Sequence, residues 1–289
     1  MAKQMRADLM LAFVALCWGF SYYMVDLSLT ELGPFTLNAM RFLLAFAAAM
    51  AAAFQNLKKV GKKTMLYSAG IGAVVTVVYI NANYGVMYTS LSNAGFLCAL
   101  AVVFTPALDF AIRKNKPGKK LAAVVVMSCV SIALLTLNEE LKPALGDLFC
   151  ILCAFASSFH LLITESAVRK EGVNAFHLGV YQLAFVGLFN SIVAVAVEKP
   201  QLPSSLAVWG AVLFLAVFCT GLAFIALTVA QQYTTATHTG VIFTLEPVFA
   251  GFVAFFLAGE ILLPRAYFGA ALLIAGILIM EVDTKRLFS

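Results

Sequence analysis

Residues 8–26 read DLMLAFVALCWGFSYYMVD, and residues 147–165 read DLFCILCAFASSFHLLITE. Laid over one another at an offset of 139, Asp8 falls on Asp147, Leu9 on Leu148, Ala15 on Ala154, Phe20 on Phe159 and Asp26 on Glu165. Each stretch is an apolar run bracketed by two acids 18 residues apart, which points to duplication. A helix needs about 20 mostly apolar residues to cross about 30 Å of hydrocarbon. The pair therefore reads as one membrane helix present twice.

Runs of the same kind fill the chain. Ten are found, at about 9–28, 34–54, 65–88, 92–112, 119–137, 147–168, 175–197, 206–230, 235–258 and 266–282. Turn residues sit between them: Gly33-Pro34, Lys116-Pro117-Gly118, Pro143, Lys199-Pro200 and Pro203. The first run is too long for a removable signal peptide and lacks a small-residue cleavage site. Of 289 residues, 63% are apolar and 11% charged, with mean hydropathy +0.97. A soluble domain has about 45–50% apolar and about 25% charged residues. This composition excludes a soluble enzyme, a disordered tail and a nucleic-acid module, and identifies an all-α integral membrane protein.

Basic residues set the direction, because Lys and Arg accumulate in cytoplasmic loops. With the N-terminus inside, the inner set is Lys3, Arg6, Lys58, Lys59, Lys62, Lys63, Arg113, Lys114, Lys116, Lys119, Lys120, Arg169, Lys170, Lys285 and Arg286. Outside are Lys142, Lys199 and Arg265, and Arg41 lies within a span. The net charge of +5 is thus a topology signal, with both termini cytoplasmic.

The expected architecture is ten transmembrane helices as two inverted five-helix repeats, 8–137 and 146–282. Five is odd, so the second half enters the membrane upside down. The loops agree: Lys58–Lys63 and Arg113–Lys120 are basic, while the corresponding regions Glu198–Pro200 and Gly259–Arg265 carry one basic residue each. Inverted repeats of this kind build secondary transporters with substrate bound near the midplane.

Trp18-Gly19-Phe20-Ser21, Arg41, and Tyr88-Thr89-Ser90-Leu91-Ser92-Asn93-Ala94-Gly95-Phe96 resemble the EamA-type transporters of the drug/metabolite transporter superfamily. The second half is similar through Gly146-Asp147, Tyr233–His238, Thr244-Leu245-Glu246-Pro247-Val248-Phe249-Ala250, Gly259-Glu260 and Gly269–Leu278. The resemblance covers nearly the whole chain. It implies a ten-span carrier of small metabolites, in many bacterial members an exporter of amino acids or related compounds, in the plasma (inner) membrane of a bacterium. The halves differ in one spacing: eleven residues separate Gly95 from Pro106, and seven separate Gly240 from Pro247.

An ionisable group at bilayer depth costs at least about 2.5–3.5 kcal/mol, so each must face a cavity or a partner. Glu246 sits midway along the ninth run, before Pro247, whose missing N–H interrupts the helix ladder. It either binds a substrate amine or carries a proton, or is locked to another helix. His160 shares one helical face with Ser157 and Thr164. It is a coupling-proton candidate or a neutral histidine bonded within the bundle. Trp18 occupies the place in the first half that Ser157 takes in the second, as a cavity wall or a packing group. The third run carries two polar stripes, Tyr79 with Asn83, and Asn81 with Tyr84 and Tyr88; one is expected to line a cavity and the other to bond a neighbour. Arg41 and Gln182 occupy similar places in the second and seventh runs. Arg41 lies close enough to the outer surface to snorkel, and is read as a structural or gating ion pair, with substrate binding as the alternative.

The cavity candidates are therefore Trp18, Tyr79, Asn83, Ser157, His160, Gln182 and Glu246. The coupling candidates are Glu246 and His160, and the structural or gating ones Arg41, Pro106, Pro247 and Glu260. Asp26, Asp109 and Glu165 lie near span ends, where water is close, and are expected to be interfacial. Gly70, Gly72, Gly269 and Gly276 suit close helix contact. The six cysteines fall inside apolar runs, and Cys150-x-x-Cys153 has no second pair, so packing is their expected role. No metal set, phosphate loop or nucleophile–base constellation is present, and no cofactor is implied. The partners expected are a small-molecule substrate and the lipid bilayer, with no nucleic acid and no oligomer required. The alternatives are a non-transporting membrane sensor or scaffold and a membrane-embedded enzyme acting on lipid-linked substrates.

Overall fold

The computed structural model describes residues 2–89, 91–114, 118–136, 144–257 and 264–281, and all regular structure in them is helical. The elements of the first half are α1 (Ala2–Leu29), α2 (Pro34–Leu57), α3 (Lys62–Tyr88), α4 (Leu91–Ala99), α5 (Ala101–Arg113) and α6 (Lys119–Thr136). The second half holds α7 (Leu145–Val168), α8 (Ala175–Val197), α9 (Leu206–Phe214), a π-helical segment (Leu215–Leu222), α10 (Ala223–Ala230), α11 (Ala236–Phe243), α12 (Glu246–Leu257) and α13 (Pro264–Glu281).

The ends follow from local chemistry. Pro34 opens α2 at a position where a missing N–H is harmless. The next two donors, Phe35 N–H and Thr36 N–H, are taken by the Glu198 carboxylate at 2.9 and 2.8 Å. Asn174, Ser205 and Thr235 cap α8, α9 and α11 by accepting from the N–H three residues on. Lys114 closes α5 in the left-handed region, at φ 59°.

Seven helical stretches among the described residues are long and apolar enough to cross a bilayer. They are Lys3–Leu29, Pro34–Leu57, Lys62–Tyr88, Leu145–Val168, Ala175–Val197, Leu206–Ala230 and Ala236–Leu257. The fourth apolar run is divided at Leu100 into the two short helices α4 and α5, and α6 and α13 are the two remaining rods. The chain is a multi-pass helical membrane protein. Its outer surface fits lipid: Leu66, Val195, Leu206 and Phe256 are 74, 75, 88 and 73% exposed, which water would penalise.

Inside, α2 packs on α8, α3 on α7 and α8, and α1 on α12, α10 and the π-helical segment; α6 pairs with α13 at the periphery. Close approach needs small residues. A Cβ on Gly72 would lie 2.8 Å from Phe185 Cβ, and one on Gly187 would lie 2.7 Å from Leu43. Gly70 meets nothing within 4 Å, which corrects the reading of it as a contact residue; Gly72, two positions on, faces the neighbouring helix instead.

Two sets of polar contacts lie at the two ends of the bundle. At the end carrying the start of α1, Asp8 meets His238 at 3.1 Å, Gln4 donates to Thr234, and Arg113 and Arg169 meet Glu165. At the other end Thr89 donates to Asp147 at 2.7 Å, and Glu31 receives Ser204 N–H and Ser205 N–H at 2.6 and 3.2 Å. Helices α1 and α7, which carry the matching sequences, therefore begin at opposite ends.

Candidate functional site

A cavity of about 110 Å³ lies among α1, α3, α7 and the two broken helical runs. Its floor is aromatic. Trp18, Phe243 and Phe224 stand with ring centroids 4.9 Å (Trp18–Phe243) and 5.9 Å (Trp18–Phe224) apart, and Tyr79 lies 5.8 Å from Phe224. Below that floor, toward the start of α1, Leu11, Val14, Leu161, Leu162, Ala230 and Ile242 form a packed apolar layer. The Glu165 cluster lies beyond this layer. The remaining walls, from Val25, Val86, Cys98 and Cys153, extend toward the opposite end of the bundle.

Trp18 is held by an irregularity in its neighbour. In the π-helical segment Ala223 N–H is directed to the Phe218 and Thr220 carbonyls and turns away from Cys219. The Cys219 carbonyl instead accepts Trp18 Nε1–H at 3.0 Å. Such wide turns leave main-chain groups available to partners and recur at functional sites. Trp18 also packs against all three of the large buried apolar clusters.

Glu246 opens α12, where the ninth run is broken at Thr244 and Leu245. Tyr22 donates its hydroxyl to Glu246 Oε1 at 2.7 Å. The break begins before Pro247, as that residue's missing N–H requires. In the first half the break falls at Leu100, six residues before Pro106, which stands inside α5 and is buried. That difference in position accounts for the unequal glycine-to-proline spacings. Broken helices at membrane depth are tolerated where they line a cavity, and Cys98, Ala99, Ala101, Gly240, Phe243 and Glu246 do so.

Arg41 lines the same cavity, and here the sequence reading is corrected. The side chain is 1% exposed and does not snorkel. Its Nε donates to Thr220 Oγ1 at 2.9 Å, and its guanidinium lies 4.8 Å from the centre of the Tyr79 ring. None of the ion pairs among the described residues includes it, so the expected ion pair is absent there. Nη2 has no hydrogen-bond acceptor. A buried unsatisfied donor costs about 1–3 kcal/mol, and more when charged.

His160 is 4% exposed, faces Phe224 at 5.9 Å and also leaves one nitrogen, Nε2, without a partner. Ser157 and Tyr79 line the cavity beside it, whereas Thr164 is fully buried and does not. Asn83 lines the cavity while donating to Pro34 O and Asn38 Oδ1, both at 3.0 Å. Tyr84 and Tyr88, of the other stripe, stack at 6.2 Å outside it. Gln182 is a correction: it is fully buried behind the lining, donating to Thr228 Oγ1 at 3.0 Å, because its helix presents that face to α10. Glu260 lies outside the described residues.

Sequence reasoning missed the cluster at the floor's far side. Glu165, near the end of its span, is 3% exposed and is gripped by Arg113 at 2.8 Å and Arg169 at 3.0 Å while accepting Ala236 N–H at 3.2 Å. The Glu165–Arg169 spacing of four was a legible signal; Arg113, from a different helix, gave none. Cys153 joins Cys98 in the cavity wall, and among the described residues no cluster could hold a metal ion. All six cysteines are free.

Two proteins of Archaeoglobus fulgidus, each known as an uncharacterized transporter, are similar to this chain. One is 27% identical over 97% of this chain and 87% of its own length, and the other 26% identical over 88% and 90%. A crystal structure described only as that of a protein has the same fold, with TM-score 0.79 at 18% identity, over 98% of this chain and 99% of that one. The EamA-like transporter family matches residues 5–137 and again residues 144–282. This chain belongs to the EamA-like transporter family and is a membrane transporter.

Proposed function

We propose that the protein is a secondary carrier, an exporter or facilitator of small metabolites such as amino acids, working by alternating access between two inverted five-helix repeats, 8–137 and 146–282. Ten crossings and cytoplasmic termini complete the reading; the membrane is the cell membrane, and the relatives named above are archaeal rather than bacterial. The observation that carries it is the cavity, whose polar groups Glu246, His160 and Arg41 share one aromatic-floored space beside two broken helices. Substrate sites in inverted-repeat carriers lie beside such discontinuous helices near the midplane.

The inversion is supported by paired contacts. Asp8 starts α1 and reaches the start of α11; Asp147 starts α7 and reaches Thr89, just before α4. A twofold axis in the membrane plane exchanges the two contacts. The packing of α3 on α7 has its counterpart in α1 on the α9–α10 rod, and α2 with α8 and α6 with α13 are self-paired. The described state is then closed at the cytoplasmic end, where the Glu165 cluster lies, with the cavity on the outer side of Trp18.

Flux in proteoliposomes tests the reading. Uptake or counterflow of at least one metabolite pool, absent in protein-free vesicles, is the expected result, and no flux with any pool contradicts it. Proton coupling through Glu246 or His160 is the narrower reading, favoured by their exposure to one cavity. Flux that ignores an imposed pH gradient and survives Glu246→Gln and His160→Ala rules it out.

A further inference from the structure

We propose that Arg41 is the anion anchor of the cavity and receives the free carboxylate of a substrate whose remaining body is apolar or aromatic. The inference rests on the carrier reading and adds the chemical group that the cavity selects.

Three observations meet at this side chain. Arg41 is a cavity-lining residue that is 1% exposed, and its Nη2 has no acceptor. Its other contacts fix it without using that nitrogen: Nε is held by Thr220 Oγ1 at 2.9 Å, and the rings of Tyr79 and Phe42 lie 4.8 and 5.7 Å from the guanidinium carbon. None of the described ion pairs supplies it with a carboxylate. A guanidinium is always charged, and its donors point outward in its own plane. The neighbouring rings of Tyr79 and Phe42 take no hydrogen bond from Nη2, so that nitrogen remains able to meet an oxyanion. A charge buried in this way, with no carboxylate paired to it among the described residues, calls for a ligand that brings one.

The rest of the lining narrows the ligand. Among the described lining residues, Arg41 is the one lysine or arginine and Glu246 the one carboxylate. A phosphate group carries about −1.5 to −2 charges and three strong acceptor oxygens, more than a single fork balances, whereas a carboxylate is a monoanion of matching shape. The aromatic floor of Trp18, Phe243 and Phe224 accepts an apolar body, and His160, which lines the same space, offers a second polar group.

Purified full-length protein in nanodiscs is melted with four probe sets at equal concentration: leucine, phenylalanine and methionine; their carboxamides; their des-amino carboxylic acids; and inorganic phosphate. Both acid sets are expected to raise Tm, with the carboxamides and phosphate giving little or none. Arg41→Gln is expected to weaken acid binding at least tenfold, and Arg41→Lys to retain part of it. Because the comparison of acids with carboxamides uses the unaltered protein, it stands even where a variant folds poorly. Carboxamides that stabilise as well as the acids, phosphate that outcompetes them, acid preference surviving Arg41→Gln, or no response to any acid each overturn the assignment. Counterflow of the same probes separates the two readings. Flux of carboxamides without acid preference removes the Arg41 assignment and leaves the carrier, while acid-dependent melting without any flux removes the carrier and leaves the anchor.

Discussion

Arg113 Nη1 meets Glu165 Oε2 at 2.8 Å, joining the end of α5 to the end of α7. The same arginine donates to Leu162 O at 2.9 Å and Ser166 Oγ at 2.6 Å, and Glu165 also accepts from the first turn of α11. Three helices that border the cavity are thus tied at one end by a single buried carboxylate.

Arg113→Ala is predicted to destabilise this end. Removing one partner of a buried pair costs about 3–5 kcal/mol; because Arg113 is 28% exposed, about 1–3 kcal/mol is expected here. Thermal melting in detergent measures the loss. Glu165→Gln, which keeps the shape and removes the charge, is predicted to raise access to the cavity from the cytoplasmic side; unchanged access means the cluster is not a closure.

Trp18→Ala should cost about 3–5 kcal/mol, since Trp18 bridges three apolar clusters. Trp18→Phe keeps a ring but loses the bond to Cys219 O and part of the indole packing, for about 1–3 kcal/mol. Melting separates the two variants. Flux that falls in Trp18→Phe while Tm holds identifies the indole as part of the cavity wall, and equal flux in Trp18→Phe identifies it as packing.

Tyr22→Phe leaves one Glu246 oxygen without its donor. A loss of about 1–3 kcal/mol in stability is expected if no water replaces it. On the coupling reading, Glu246→Gln abolishes uphill flux driven by a pH gradient while exchange at equal pH persists. Loss of both together indicates substrate binding or structure instead.

Glu31 tethers the α1–α2 loop to the start of α9. Its hydrogen bonds, from Ser205 first and then Ser204, hold its carboxyl down to about 2 against an ordinary value of 4.5. A depressed value means the tether stabilises fully above about pH 4.5 and is lost as pH falls toward 2. Proteolysis of this loop is predicted to stay constant from pH 8 to about pH 5, and to rise in Glu31→Gln at every pH. A Glu31→Gln loop as resistant as the wild type removes the tether.

The helical rods were legible because a membrane span writes its length and apolarity into contiguous sequence, as in 8–26 and 147–165. Trp18, Tyr79, His160 and Glu246 were legible as cavity candidates because polar or aromatic groups at bilayer depth need a reason. Contacts between distant segments were not. Thr220, which accepts from Arg41, and Cys219 O, which accepts from Trp18, sit in a run whose wide turn carries no proline and is marked in sequence only by Gly221. Arg41 looked peripheral because its distance from Pro34 gives depth but not which side of the helix faces inward. Gln182 failed as a lining residue for the same reason.

The central claim is that one cavity opens to alternate sides of the membrane. Ser157 lines it halfway along α7 and is the place to measure. With Cys98 and Cys153 replaced by serine, Ser157→Cys is labelled by a membrane-impermeant thiol reagent in sealed vesicles of each orientation. The account predicts labelling from the outer side at rest, with cytoplasmic labelling rising when a transported substrate drives turnover. Equal labelling from both sides at all times, or from neither side under any condition, contradicts it.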